Sequence, residues 1–353
     1  MKNRILSIIV SILLGAIVLS GCKNSESANN SNDNGAVLGA SKDGVAKDLK
    51  SISIVCTNFP EYDFAKQITG DKGDVTLLLK PGAESHTFEP TPQDIIKIQN
   101  CDLFVYVGGD SDEWVDGVLE SMDTSKMTVF KLMDQVDLVE EELVEGMEEE
   151  KEDDDSEKDA DSHEEKEQDE GENEEVENDE HVWTSPANSM TIVKNMCDAI
   201  VSIDKDNADQ YRQNAEGYIK KIKNIDDQFK DVIKNAKRKE IIVGDRFPFR
   251  YFCDEFGLKY YAAFPGCSTD TQPSAKTIAF LIDKVKSDKI PVVFHIELST
   301  SGEQMSKAIA EETGAKVLLL NAVHNVSQQD MDNGATYVTL MQENVESLKE
   351  ALN

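Results

Sequence analysis

Histidine is scarce in this chain, five in 353 residues, and four of the five stand where ligands are held. His86 lies in Pro81-Gly82-Ala83-Glu84-Ser85-His86-Thr87-Phe88-Glu89-Pro90, a loop leaving the carboxyl end of an expected strand. In open α/β sheets that end is where ligands bind. His181 precedes Val182-Trp183, an apolar pair that would bury one side of it. His295 and Glu297 alternate along one strand and so point to one side. His324 follows another strand, again at its carboxyl end. Neutral imidazole is the commonest metal ligand, and three of them with a carboxylate complete a tetrahedral shell for Zn²⁺. Each histidine alone has a plain structural reading; their shared placement at strand ends points to a metal instead. A metallohydrolase would use the same residue types with an open water position, but the sequence holds no HExxH and no assignable general base.

Such loops need a scaffold, and the pattern supplies one. From Ser51 the chain reads strand 52–57, helix 62–69, strand 75–79, helix 92–99, strand 103–107, a helix around 114–122 and a strand near 127–132. Ser185-Pro186-Ala187-Asn188 opens a helix with a cap residue followed by Pro, running to about 203. Asp206 caps a longer one, in which Tyr211, Ala215, Tyr218, Ile222, Ile225, Phe229 and Ile233 recur every three or four residues. Over about 30 residues this is an amphipathic rod of about 45 Å. After Lys239 the alternation restarts: strands 241–243, 259–262, 292–296 and 317–320, with helices up to 256, over 274–286, up to 313 and over 339–352. The fold class is α/β: two lobes, each with a mostly parallel sheet flanked by helices, joined by a long helix. The expected organisation is an amino-terminal lobe over 51–186, a helical region over 187–238 and a carboxyl-terminal lobe over 239–353. Trp114 and Trp183 fit core packing better than a sugar-stacking platform.

Ahead of this body, Lys2 and Arg4 precede an apolar stretch over 5–19 that is too short to span a bilayer, then Leu19-Ser20-Gly21-Cys22. This reads as a secretory signal over 1–21 whose end resembles a bacterial lipobox, with a lipid carried on Cys22. A polar stretch rich in Ser, Asn, Asp and Gly over 22–50 has a flexible spacer's composition. The formal charge is −33. About two thirds of it lies in 140–180, where 25 acidic residues face only Lys151, Lys158 and Lys166. That tract is expected to be a disordered loop. With no basic stripe to displace counterions, nucleic acid is excluded as a partner. The six cysteines show no CxxC spacing. Besides Cys22, an oxidised pair (Cys253 with Cys267, or Cys56 with Cys101) and buried free thiols both stay open.

Several segments, in order, carry a family resemblance: Ile54-Val55-Cys56-Thr57-Asn58-Phe59-Pro60, Ile68-Thr69-Gly70-Asp71, Pro81 to Pro90, His181-Val182-Trp183-Thr184-Ser185-Pro186 and Asp204 to Tyr211. With them the chain resembles the metal-specific solute-binding proteins of bacterial ABC importers for zinc or manganese. The resemblance implies metal held in a cleft between two lobes and delivery to a membrane permease by a monomer tethered through its lipid. It also implies that His86 and His181 are the first two ligands. The next two positions depart from the family: Arg246 stands where a third histidine is usual, and Asn321 where an aspartate is. Glu297 and His324 are the replacements at hand, so the expected ligand set is His86, His181, Glu297 and His324, with Asp245 and His295 as runners-up. Arg246 is expected beside the site, paired with Glu297 or Asp245. Zn²⁺ is the expected cargo and Mn²⁺ the alternative; a surface adhesin with a structural metal is the competing use. In zinc-type relatives a histidine-rich acidic loop occupies the place of 140–180, where only His163 remains, so the tract is read either as a weak cation concentrator or as a solubilising loop.

Overall fold

A computed structural model describes residues 51–147, 177–268 and 272–353; the signal, Cys22, the spacer and His163 lie outside them. Elements run β1 (Ile52–Cys56), α1 (Phe59–Thr69), β2 (Gly73–Leu77), α2 (Pro92–Asn100), β3 (Leu103–Tyr106), α3 (Trp114–Glu120) and β4 (Thr128–Lys131). Then come α4 (Pro186–Ile203), α5 (Ala208–Asn235), β5 (Glu240–Arg246), α6 (Arg250–Phe256), β6 (Lys259–Phe264) and α7 (Ala275–Asp288). The chain closes with β7 (Val292–His295), α8 (Thr300–Thr313), β8 (Lys316–Leu319), α9 (Gln328–Asp332) and α10 (Tyr337–Leu352). Two four-stranded sheets result, ordered β2-β1-β3-β4 and β6-β5-β7-β8. Every pairing is parallel, as strands separated by helices require. The α/β reading with a long connecting helix is therefore the observed architecture.

In each sheet the order reverses direction, beside β1 and β3 in the first and beside β5 and β7 in the second. Loops from neighbouring strand ends diverge there and leave a crevice. The loops after β2 and β3 and those after β7 and β8 carry the side chains of interest. One apolar cluster holds both sheets: Ile54 and Val105 from the first, Val243 and Phe294 from the second, and Tyr218, Ile222 and Phe229 of α5 between them. The 28 residues of α5 span about 42 Å at 1.5 Å per residue. Trp183 is fully buried in this cluster, while Trp114 packs edge-on to Phe88 with centroids 5.8 Å apart.

Two local expectations change and one open alternative is resolved. First, α1 starts at Phe59, three residues earlier than the apolar spacing indicates, because Asn58 caps it and Pro60 fits its first turn. Second, the acidic tract is not disordered over all of 140–180. Glu140 and Asn178 form an antiparallel bridge, and Asp179 and Glu180 are buried; residues 148–176 lie outside the description. Third, Cys56, Cys101, Cys197, Cys253 and Cys267 are all free thiols. Among the described residues no helix is long and apolar enough to cross a membrane.

Asp63 of α1 ties three helices together. Its carboxylate accepts from the Tyr218 hydroxyl of α5, from Gln67 Nε2 at 3.0 Å and from the backbone N–H of Tyr337, the first residue of α10, at 2.9 Å. Burial pushes its pKa up, and these donors pull it back. Asp63→Ala leaves two buried donors without an acceptor, so we expect a loss of about 3 kcal/mol of stability. An unchanged denaturation midpoint would refute the tie.

Candidate metal centre

Three histidines converge where the loops meet. Ring centroids of His86 and His181 are 5.6 Å apart, those of His86 and His324 are 5.4 Å apart, and those of His181 and His324 are 4.8 Å apart. One donor nitrogen from each lies within 4.8 Å of the other two. The Nε2 atoms of all three are buried without a hydrogen-bond partner. Each Nδ1, by contrast, is held by oxygen. His86 Nδ1 meets Ser111 Oγ at 2.9 Å, and Ser111 in turn donates to Glu180 Oε1. His181 Nδ1 meets Asp179 Oδ1 at 3.1 Å, and His324 Nδ1 meets Glu297 Oε1 at 3.2 Å. With the proton on Nδ1, each Nε2 keeps its lone pair free, which is the outer-shell pattern of metal-binding histidines. Burial, reinforced by the neighbouring imidazoles, holds His86 well below the ordinary histidine range, and burial followed by His324 does the same to His181. Both are therefore neutral and ready to donate near pH 7.

The supports come from separate parts of the chain. Glu297 donates no ligand atom to this cluster, contrary to the expectation from its strand-end position. Its oxygens accept from the backbone N–H of Ala322 at 2.6 Å and of His324 at 2.9 Å. These two amides flank Val323, whose φ of 65° is costly for a β-branched residue. The carboxylate thus holds a strained turn that aims His324. Trp183 donates Nε1 to the Ala322 carbonyl at 2.7 Å and walls the site, its ring edge-on to His181 and His324. The two halves are clamped where they meet: Asn325 Nδ2 donates to the carbonyls of Lys80 at 2.8 Å and Ala83 at 2.9 Å, and Gly82 N–H to Val326 O at 2.8 Å.

Arg246 does not pair with Glu297 or Asp245. Its Nη2 reaches Glu84 Oε2 at 3.1 Å, across the cleft. Burial pushes Glu84 up, but the guanidinium overcomes it and holds the carboxyl at about 2. The other Glu84 oxygen faces the backbone N–H groups of Ser85 and His86, at 3.1 and 3.4 Å. Arg246 therefore acts on the His86 loop and has its charge countered there. Asp245 accepts from the N–H groups of Arg246 and Ile296. His295 Nδ1 lies 3.0 Å from the Ile296 carbonyl, and Asn321 is buried in a network with Asn344 and Glu343. Neither Asp245 nor His295 contributes an atom to the histidine cluster. A cleft of about 540 Å³, lined by Glu84, His86, Asp245 and Arg246 among others, opens beside it.

Sequence reasoning missed Ser111, Asp179 and Glu180. The last two sit inside the acidic run, where nothing in composition separates two buried carboxylates from their solvated neighbours. Gly109, at φ 83°, was the available signal for the turn before Ser111: a Cβ there would lie 2.8 Å from Glu180 Oε2.

Glu297→Gln keeps the size of the side chain and removes its charge. We expect roughly 10–100-fold weaker metal binding with the fold intact, read by competition with a chromophoric chelator; unchanged affinity would sink the positioning role. Burial raises Asp179 to about 7 and Glu180 to about 8. A carboxyl raised in the folded state stabilises below its ordinary pKa, and that contribution fades as pH climbs through the folded value. The metal-free protein should therefore melt lower at about pH 8.5 than at about pH 6.5. The difference should shrink in Glu180→Gln; equal melting temperatures would contradict the assignment.

A family model described as zinc-uptake complex component A, periplasmic, matches residues 54–351. The high-affinity zinc uptake system protein ZnuA of Bacillus subtilis (strain 168) is 36% identical over 301 residues, covering 85% of this chain and 88% of that protein. The zinc-binding lipoprotein AdcA of Streptococcus pneumoniae (strain R6) is 30% identical over 299 residues, 85% of this chain; the chain spans only 55% of that relative's length. The crystal structure of the Zn(II)-bound ZnuA-like domain of S. pneumoniae AdcA superimposes with a TM-score of 0.66 at 28% identity, covering 86% of this chain and 99% of that domain. With 298 consecutive positions matched by the family model, the chain belongs to the zinc-uptake complex component A family.

Proposed function

We propose that this protein captures Zn²⁺ outside the cytoplasm through His86, His181 and His324 and hands it to an ABC permease, without chemical turnover. The observation that carries this reading is the convergence of three buried Nε2 atoms that lack partners, each on a ring whose Nδ1 is fixed by oxygen. A buried polar atom left without a partner costs about 1–3 kcal/mol, and a bound cation would remove that cost three times over. Nitrogen-rich donors suit zinc; manganese prefers oxygen. The relatives support the same cargo, since those above are a zinc uptake protein and a zinc-binding lipoprotein.

Delivery requires the protein to stay near its permease. A lipid on Cys22 followed by the polar spacer over 22–50 would keep a monomer within reach of the membrane surface, raising its effective concentration at the transporter. A relative named as a lipoprotein supports this anchor.

Purified protein should retain one equivalent of zinc through dialysis. His86→Ala and His181→Ala should each weaken retention by more than the roughly 10–100-fold typical of outer-shell changes. Elemental analysis decides: unchanged zinc content in both variants would end the three-histidine reading.

A further inference from the structure

A tetrahedral zinc shell takes four donors, and the histidine cluster supplies three. Three of the carboxylates around it are already committed, and Asp179 backs the His181 ring through Oδ1. Glu297 holds two backbone amides, Asp245 holds two others, and Glu180 accepts from both the hydroxyl and the N–H of Ser111. Cys267 stands beside His181, one of the three. Its Sγ, a Glu180 carboxylate oxygen and a ring nitrogen of His181 lie within 4.8 Å of one another, so His181 is shared between this group and the three-histidine cluster.

The approach of Cys267 is built into the connection after β6. Gly266 lies so close to His181 that an added Cβ would sit 3.1 Å from its Cε1 and 3.0 Å from the Phe247 carbonyl. The Cys267 N–H donates to Glu141 Oε1 at 3.0 Å, and Arg246 Nη1 reaches the Ser268 carbonyl at 3.4 Å. The neighbour of Cys267, His181, is fully buried and its Nε2 has no partner. Resting on the three-histidine reading, we propose that the thiolate of Cys267 is the fourth donor to the captured ion. Zn–S and Zn–N bonds of about 2.3 and 2.0 Å put donors about 3.5 Å apart, so the bound ion would draw the sulfur toward His181 by no more than about 1 Å. The S–H proton leaves to solvent as the S–metal bond forms. A soft sulfur beside three imidazoles strengthens discrimination against manganese.

Cobalt(II) alone, one equivalent added to the metal-free full chain, reads the shell directly. The expected spectrum combines visible bands of a tetrahedral ion with a near-ultraviolet sulfur-to-cobalt charge-transfer band. Cys267→Ser should lose the charge-transfer band, keep visible bands and release zinc at least about tenfold more readily; Cys253→Ser, a core thiol, should keep both features. Tetrahedral cobalt without the charge-transfer band in the unaltered protein, or a band that survives Cys267→Ser, overturns the fourth donor and leaves the three histidines standing. Absence of cobalt binding, or full binding in His86→Ala, overturns both.

Discussion

Three imidazoles buried with their lone pairs facing one another are the constraint on which the rest of the structure depends. Nothing in the described residues satisfies those nitrogens, and each left bare costs about 1–3 kcal/mol. The arrangement persists because the opposite nitrogen of each ring is fixed from behind. Asp179, Glu297 and the Ser111–Glu180 pair set the tautomers, and burial keeps His86 and His181 from escaping the cost by protonation. A rigid set of neutral donors is what a divalent ion with nitrogen preference requires.

That rigidity is inherited from the packing. The two sheets share one apolar cluster through α5 and Trp183, and Asp63 locks α1, α5 and α10 to one another. The loop bearing His86 is gripped by Asn325 from the loop bearing His324, while Arg246 reaches back to Glu84. The histidine cluster is therefore assembled from both halves, and moving either half would take it apart. Val323, with φ 65°, is a strained position between the two amides that Glu297 holds, and Leu298, next to Glu297, is another at φ 59°.

The alternation of strands and helices was legible because parallel strands and amphipathic helices have distinct periods. Ser185-Pro186 and the apolar stripe of α5 placed their helices closely. Errors came where capping outran the apolar pattern, as at Asn58-Phe59-Pro60, or where a charge run hid ordered residues, as at Asp179 and Glu180. Glu297 shows the limit of strand alternation: β7 ends at His295, and the Glu297 carboxylate beyond it is spent on backbone amides whose nearness is a tertiary fact.

By itself the sequence determined that this is a two-sheet α/β protein, and that scarce histidines at strand ends are the residues to watch, because local periodicity and residue chemistry are written along the chain. Only the tertiary structure decided which oxygen backs each ring, that Arg246 answers Glu84, and that a thiol from the β6–α7 connection lies against His181. Apart from Asp179, two residues from His181, those outcomes join residues from about 25 to more than 150 positions apart, and such contacts are set by how the sheets and loops pack together, which no local pattern encodes.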